Sequence, residues 1–129
     1  RSKKLADQYS AYEPLPGLHI NGEQVLGENI ADVAGLATAY DAYRLSLKGA
    51  TPPVIDGFTA DQRFFLGWAQ NYRAKYREAA LRRVVVTDVH SPGPWRALTV
   101  RNLDAWYPAF DVKPGQSMYL APADRVKVW

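Results

Sequence analysis

From Leu26 to Lys48 apolar residues recur at spacings of three and four, and the ten residues beginning at Lys48, KGATPPVIDG, cannot continue such a pattern. Ile30, Val33, Ala34, Ala37, Tyr40 and Tyr43 fall on one side of a helical wheel. Two prolines and two glycines then remove a backbone donor and loosen φ where a helix needs the opposite. One long period with an abrupt end commits the chain to a helical architecture. Gly35 inside it costs roughly 1 kcal/mol relative to alanine, so close approach by a neighbouring helix is expected there. The preceding residues 11–24, AYEPLPGLHINGEQ, read as a loop rich in turn formers.

A second helix is expected from FTADQRFF. Thr59 followed three residues on by Gln62 forms a capping box, in which hydroxyl and amide satisfy free backbone donors reciprocally. Phe65, Trp68, Ala69, Tyr72 and Tyr76 form its apolar stripe, read as mostly core. Periodicity alone runs this helix to about Thr87. DVHSPGPWR follows as a loop, RALTVRNL as a short extended segment, and Asn102 as the cap of a brief helix through LDAWY that Pro108 curtails. The tail from Asp111 to Trp129 is irregular. No internal repeat, low-complexity segment or linker divides the chain. The fold class is mainly α, with long irregular segments.

Composition bounds the function. At 129 residues the chain fits one domain. No apolar run approaches the roughly 20 residues of a membrane-spanning helix. The opening RSKKLADQY lacks an initiating Met, so further polypeptide is expected upstream. With no cysteine, disulfides, thiolate metal sites and a cysteine nucleophile are excluded. Net charge is a modest +3. Arg73, Lys75, Arg77, Arg82 and Arg83 are read as a solvated basic face rather than a nucleic-acid interface.

Chemistry concentrates in two places. In VLGENIADVAGL, Glu28 and Asp32 lie one helical turn apart, on one face. Their neighbours Ile30, Ala31, Val33 and Ala34 point to a largely buried helix, and buried carboxylates need a cation, a donor or a metal. The chain has two histidines. His19, in a loop, reads as a hydrogen-bonded structural group. His90 opens HSPGPWR, where an imidazole and the Arg96 guanidinium share one proline-stiffened loop. Two such donors suit a site where negative charge develops on a substrate oxygen. There is no serine–histidine–acid order, no phosphate loop and no H-E-x-x-H.

Three blocks, LHINGEQVLGENIADVAGLATAYDAY, FFLGWAQNYRAKYR and TDVHSPGPWR, together with the terminal RVKVW, resemble the C-terminal part of the neprilysin family of zinc endopeptidases. G-E-N-I-A-D followed about sixty residues later by D-V-H-S-P-G is a specific signature. The resemblance implies that residues 1–129 are a C-terminal, helical fragment of a zincin-like catalytic domain. It implies Glu28 as the third protein ligand of a catalytic zinc. Asp32 would orient a zinc-bound histidine, a relay that fixes the ring tautomer. His90 would donate to the oxyanion of the tetrahedral intermediate, and Arg96 would bind a substrate carbonyl. The implied reaction is hydrolysis of oligopeptides, with a bulky apolar residue after the scissile bond.

The departures are informative. The two zinc histidines and the general base belong to an H-E-x-x-H expected upstream, in the same polypeptide. A catalytic zinc takes three protein ligands, so this chain alone is expected neither to hold zinc tightly nor to cleave peptides. Asn71 and Tyr72 stand where family members often place an apolar residue and a tryptophan in the substrate pocket, which implies a more polar pocket. Val126 stands where animal relatives have a disulfide cysteine, favouring a bacterial branch. The family's pattern also breaks the second helix near Tyr76. An outward-facing location, periplasmic, secreted or membrane-anchored, follows from the resemblance alone. Apolar surface that faces the upstream part would let the isolated chain self-associate. The rival reading is a non-catalytic helical interaction module with an acidic partner.

Overall fold

The computed structural model describes residues 1–128. Six α-helices follow in order: α1 (Ser2–Ser10), α2 (Leu26–Ser46), α3 (Ala60–Asn71), α4 (Glu78–Thr87), α5 (Gly93–Ala97) and α6 (Trp106–Phe110). Short 3₁₀ turns occupy Leu98–Asn102 and Pro122–Asp124. Among the described residues there are two isolated β-bridges, Leu15 with Leu18 and Ile55 with Phe58, and no sheet. No helix among them is long and apolar enough to cross a membrane. The mainly helical fold and its irregular tail therefore agree with the sequence reading; Trp129 lies outside the described residues.

Helix α2 is the axis, packed against α1 on one side and the Leu98–Asn102 turn on the other. Two apolar clusters meet it. Near its start, Val25 and Val33 pack with Leu5, Tyr9, Ile20 and Val126. Further along, Leu36 joins Phe65, Val100 and Leu103. Phe65 stacks on Tyr40 at 5.5 Å and meets the Trp106 ring edge-on at 5.6 Å. Burying a side chain of this size contributes about 1.5–3 kcal/mol. Leucine, valine and phenylalanine at helical spacing thus hold α2 and α3 against the C-terminal turns.

Several expectations are corrected. Helix α2 is not largely buried: Asn29, Asp32, Val33 and Leu36 are, while Ala31 and Gly35 are exposed. No neighbour approaches Gly35, since a Cβ added there meets nothing within 4 Å. The α3 stripe is only partly core, for Phe65 alone in that helix is buried. Residues 2–10 form a helix for which no sequence reading was made; its Leu5, Ala6 and Tyr9 are buried. HSPGPWR is not all loop. Pro94 stands in the first turn of α5, where its missing N–H has no helical partner to lose. RALTVRNL is helical and 3₁₀ rather than extended. Asn102 caps nothing: its Oδ1 accepts from Val126 N at 2.8 Å and Gln8 Nε2 at 3.1 Å, tying both ends of the chain together. Pro108 sits inside α6 without curtailing it, because N–H groups of a first turn are unpaired anyway.

The helix expected to reach Thr87 stops at Asn71 and resumes as α4 at Glu78. The Thr59–Gln62 capping box is formed in full. The interruption is tertiary: the Tyr76 hydroxyl accepts from Gly93 N–H at 3.2 Å. The Tyr72 carbonyl would lie 2.9 Å from a Cβ at position 93. A continuous helix could not offer both groups to the loop. This break brings α3, α4 and the His90 loop around one hollow.

Candidate active site

Glu28 lies in the first turn of α2 and Asp32 one turn further on. The loop between α4 and α5 returns to this end of α2 and brings both expected cations with it. His90 Nε2 is 3.2 Å from Glu28 Oε2, with both side chains about two-fifths exposed (42% and 41%). Arg96 forks onto Asp32, Nε to Oδ2 at 2.8 Å and Nη2 to Oδ1 at 2.7 Å. The Asp32 side chain is 7% exposed and that of Arg96 21%. Each acid on α2 therefore makes its close contact with a different cation-forming group. The hydrogen bonds to Asp32 raise the Arg96 guanidinium pKa above its usual value.

The imidazole is fixed from behind. Asp88 Oδ1 accepts from the His90 backbone N–H at 2.9 Å and lies 2.8 Å from Nδ1. The backbone bond, then the ring bond, holds the Asp88 carboxyl below its usual range. With Nδ1 bound there, Nε2 is the nitrogen presented towards Glu28. Asp88 was not among the residues picked from the sequence; its place two before His90 in D-V-H is the only signal that could have found it. The loop is tied to the segment entering α2 by Gln24, whose amide donates to Asp88 O at 2.7 Å, and to α2 itself by Ser91 Oγ, which donates to Asn29 Oδ1 at 3.1 Å.

Beside these groups opens a cavity of about 330 Å³ bordered by Asn71, Tyr72, Tyr76, Val84, His90 and Arg96. The guanidinium carbon of Arg96 stands 4.8 Å from the Tyr72 ring centre. The Trp68 ring meets that of Tyr72 edge-on, 4.8 Å between centres. Burial pushes the Tyr72 phenol pKa up, so it stays a neutral hydrogen-bonding wall. Asn71 is exposed at the rim. All six residues picked from the sequence, Glu28, Asp32, Asn71, Tyr72, His90 and Arg96, thus border one region at the start of α2. His19 stands apart, its Nδ1 3.2 Å from Ser10 O.

A metal would find an incomplete donor set. Among the described residues no group of three histidine, cysteine or carboxylate side chains is placed to hold an ion. Glu28, half exposed at a helix start, is a carboxylate free to serve as one donor of several. The chemistry fits zinc, which accepts carboxylate oxygen, on condition that the other donors come from elsewhere.

Comparison with known proteins bears on where they come from. Residues 1–126 match the model of peptidase family M13. The "Neutral endopeptidase" of Lactobacillus helveticus is 41% identical over 85% of this chain, which spans 16% of that protein. Human "Neprilysin" is 37% identical over the whole chain, which spans 18% of it. The Mycobacterium tuberculosis zinc metalloprotease Zmp1, solved with an inhibitor, superposes with TM-score 0.95 at 47% identity. That match covers 99% of this chain and 20% of the solved one. The chain therefore spans about a fifth or less of these relatives.

Proposed function

The chain belongs to peptidase family M13, the neprilysin family of zinc endopeptidases, and on that premise we propose that it is part of the catalytic domain of a zinc endopeptidase acting on oligopeptides. It contributes one metal ligand and the groups that receive transition-state charge. The observation that carries this reading is the pairing of Glu28 with His90 at 3.2 Å beside the Arg96–Asp32 fork. Placed on α2 and on a loop 62 residues away, Glu28 and His90 meet at a surface where both are about two-fifths exposed and an ion pair adds little to the stability of the fold. They converge where a substrate carbonyl would be attacked.

Glu28 would hold the zinc, with two histidines from an upstream H-E-x-x-H that this sequence does not contain. Zinc so bound supplies Lewis acidity towards the peptide carbonyl and lowers the pKa of water. The rest falls to the chain's own residues. His90 donates Nδ1–H to Asp88 and, as the imidazolium, directs Nε2–H at the region of Glu28. There it donates to the oxygen on which negative charge accumulates, a contribution of about 10²–10³ in turnover for a single such donor. Arg96 spends Nε and Nη2 on Asp32. Its Nη1 has no acceptor among the described residues, and it binds a substrate backbone carbonyl. Asp32, anchored by Arg96, keeps unshared electron pairs to orient a zinc-bound histidine. Asn71 and Tyr72 line the pocket for a substrate side chain and make it more polar than a wall of an apolar residue and a tryptophan would.

Alone, the chain offers one zinc donor and neither retains the ion nor cleaves peptides. The exposed Leu45, Val54, Ile55 and Phe58 supply surface for the upstream polypeptide, and for self-association when that is missing. An outward-facing location, in the periplasm, secreted or membrane-anchored, belongs to the same proposal. The test uses the full-length enzyme. Glu28→Gln should lose both metal and activity, whereas His90→Ala should keep zinc while turnover collapses. A His90→Ala enzyme that lost zinc and kept full turnover per bound metal would refute the assignment of roles.

A further inference from the structure

The contact between Glu28 and His90 cannot by itself hold them in register. Both side chains are about two-fifths exposed, and solvent screens an ion pair so placed. If Glu28 serves a metal, even that contact is given up. Asp88 fixes the ring of His90, but it lies on the same loop and moves with it. What ties this loop to α2 must be sought one residue on from each partner. Asn29 follows Glu28, and Ser91 follows His90. Asn29 is 0% exposed and Ser91 2%. Ser91 Oγ donates to Asn29 Oδ1 at 3.1 Å across 62 residues of chain. Two further ties flank it: Gln24 donates to backbone carbonyls nearer the surface, and the Arg96–Asp32 fork holds α5 beyond the loop.

The cost of Asn29 shows that its amide has a purpose beyond filling space. Its Nδ2 is buried with no hydrogen-bond partner among the described residues. Leaving a buried donor unpaired is costly, because the group gives up its water without gaining a partner. An aliphatic side chain of similar volume would avoid that cost. The return for the amide is a directional acceptor for Ser91, a bond that accepts only one register of loop against helix. We propose that Asn29 and Ser91 are positioning residues, whose buried hydrogen bond sets the His90 imidazole at its working distance from the Glu28 carboxylate. This rests on the peptidase reading above and adds to it a pair that touches neither metal nor substrate. Misplacement of a reacting group by about 1 Å costs on the order of 10²-fold in rate, so a bond this small carries a large kinetic effect.

The experiment uses the full-length, zinc-loaded enzyme and a fluorogenic oligopeptide with a bulky apolar residue after the scissile bond. Ser91→Ala, Asn29→Ala and the double variant are compared for kcat, KM, zinc per chain and Tm. Ser91→Ala removes one oxygen atom and is the variant expected to fold in every case. Each single substitution should lower kcat about tenfold to a hundredfold, with KM and zinc content within about twofold of the parent. The double variant should be no worse than the weaker single, because both remove one bond. An unchanged kcat in Ser91→Ala overturns the proposal. So does a double-variant loss equal to the product of the two single losses, since the residues would then act independently. Should Asn29→Ala not fold, Ser91→Ala decides through kcat alone. The two readings fail separately: an active zinc enzyme indifferent to Ser91→Ala sinks only the positioning pair. A Glu28→Gln enzyme with full zinc and activity sinks the peptidase assignment beneath it.

Discussion

Arg96 grips Asp32 through two parallel hydrogen bonds of 2.7 and 2.8 Å, although 64 residues separate them in the chain. The fork joins the second turn of α2 to α5 and fixes the short helix that follows the His90 loop. Removing one partner of a largely buried pair strands the other charge, at a cost of about 3–5 kcal/mol. Arg96→Ala should therefore cost about 3 kcal/mol, the lower end, since Arg96 retains some exposure. Arg96→Lys should recover little of it, because an ammonium lacks the planar fork. Urea unfolding of the chain measures both. A loss under about 1 kcal/mol for Arg96→Ala would mean that the pair is solvated and the α5 anchor lies elsewhere.

Gly93 is the point where the loop passes over the end of α3. A Cβ there would meet the Tyr72 carbonyl at 2.9 Å, and that oxygen belongs to backbone. Gly93→Ala should cost about 1–3 kcal/mol and displace His90 and Arg96 together. In the full-length enzyme it should depress turnover more than it depresses thermal stability predicts. Wild-type activity in Gly93→Ala would show that the loop tolerates the shift.

Far from this region, Lys127 and Arg125 both donate to Asp104 and hold its carboxyl below the ordinary range. A folded value below the unfolded one stabilises the fold above about pH 4 and is lost as pH falls through the folded value. Asp104→Asn should thus lower Tm at neutral pH and converge with the parent in strong acid. The gap is small, at most about 1 kcal/mol, because the Asp104 side chain is 53% exposed. A pH-independent Tm difference would assign it to packing instead of charge.

The sequence disclosed the elements that are long and periodic. Helix α2 and the Thr59 capping box were legible because spacing and side-chain chemistry are local. The break between Asn71 and Glu78 was not legible in periodicity, and only the family resemblance pointed to one near Tyr76, because it depends on Gly93 meeting Tyr72 and Tyr76 from seventeen or more residues away. In DVHSPGPWR the prolines suggest a loop, whereas Pro94 stands in the first turn of α5; RALTVRNL, which suggests an extended segment, completes α5 and the 3₁₀ turn Leu98–Asn102. At the site, residue types and order pointed to Glu28, Asp32, His90 and Arg96, and resemblance gave them roles. Asp88, Asn29 and Ser91 escaped notice because a hydrogen bond leaves no periodicity in a sequence.

The separate chain, with a single carboxylate donor for the metal, should bind zinc no more tightly than an ordinary surface acid. Isothermal titration should show no saturable event at micromolar concentration. Stoichiometric submicromolar binding would mean that donors within these 129 residues complete a site by themselves.

The central claim is that the Glu28 carboxylate is a zinc ligand, and anomalous diffraction at the zinc edge from crystals of the full-length enzyme tests it most directly. The account predicts one strong peak about 2.0–2.2 Å from a Glu28 oxygen, with two imidazole nitrogens from upstream residues completing the protein donors. A peak ligated wholly by other residues, with Glu28 still paired to His90, would contradict it.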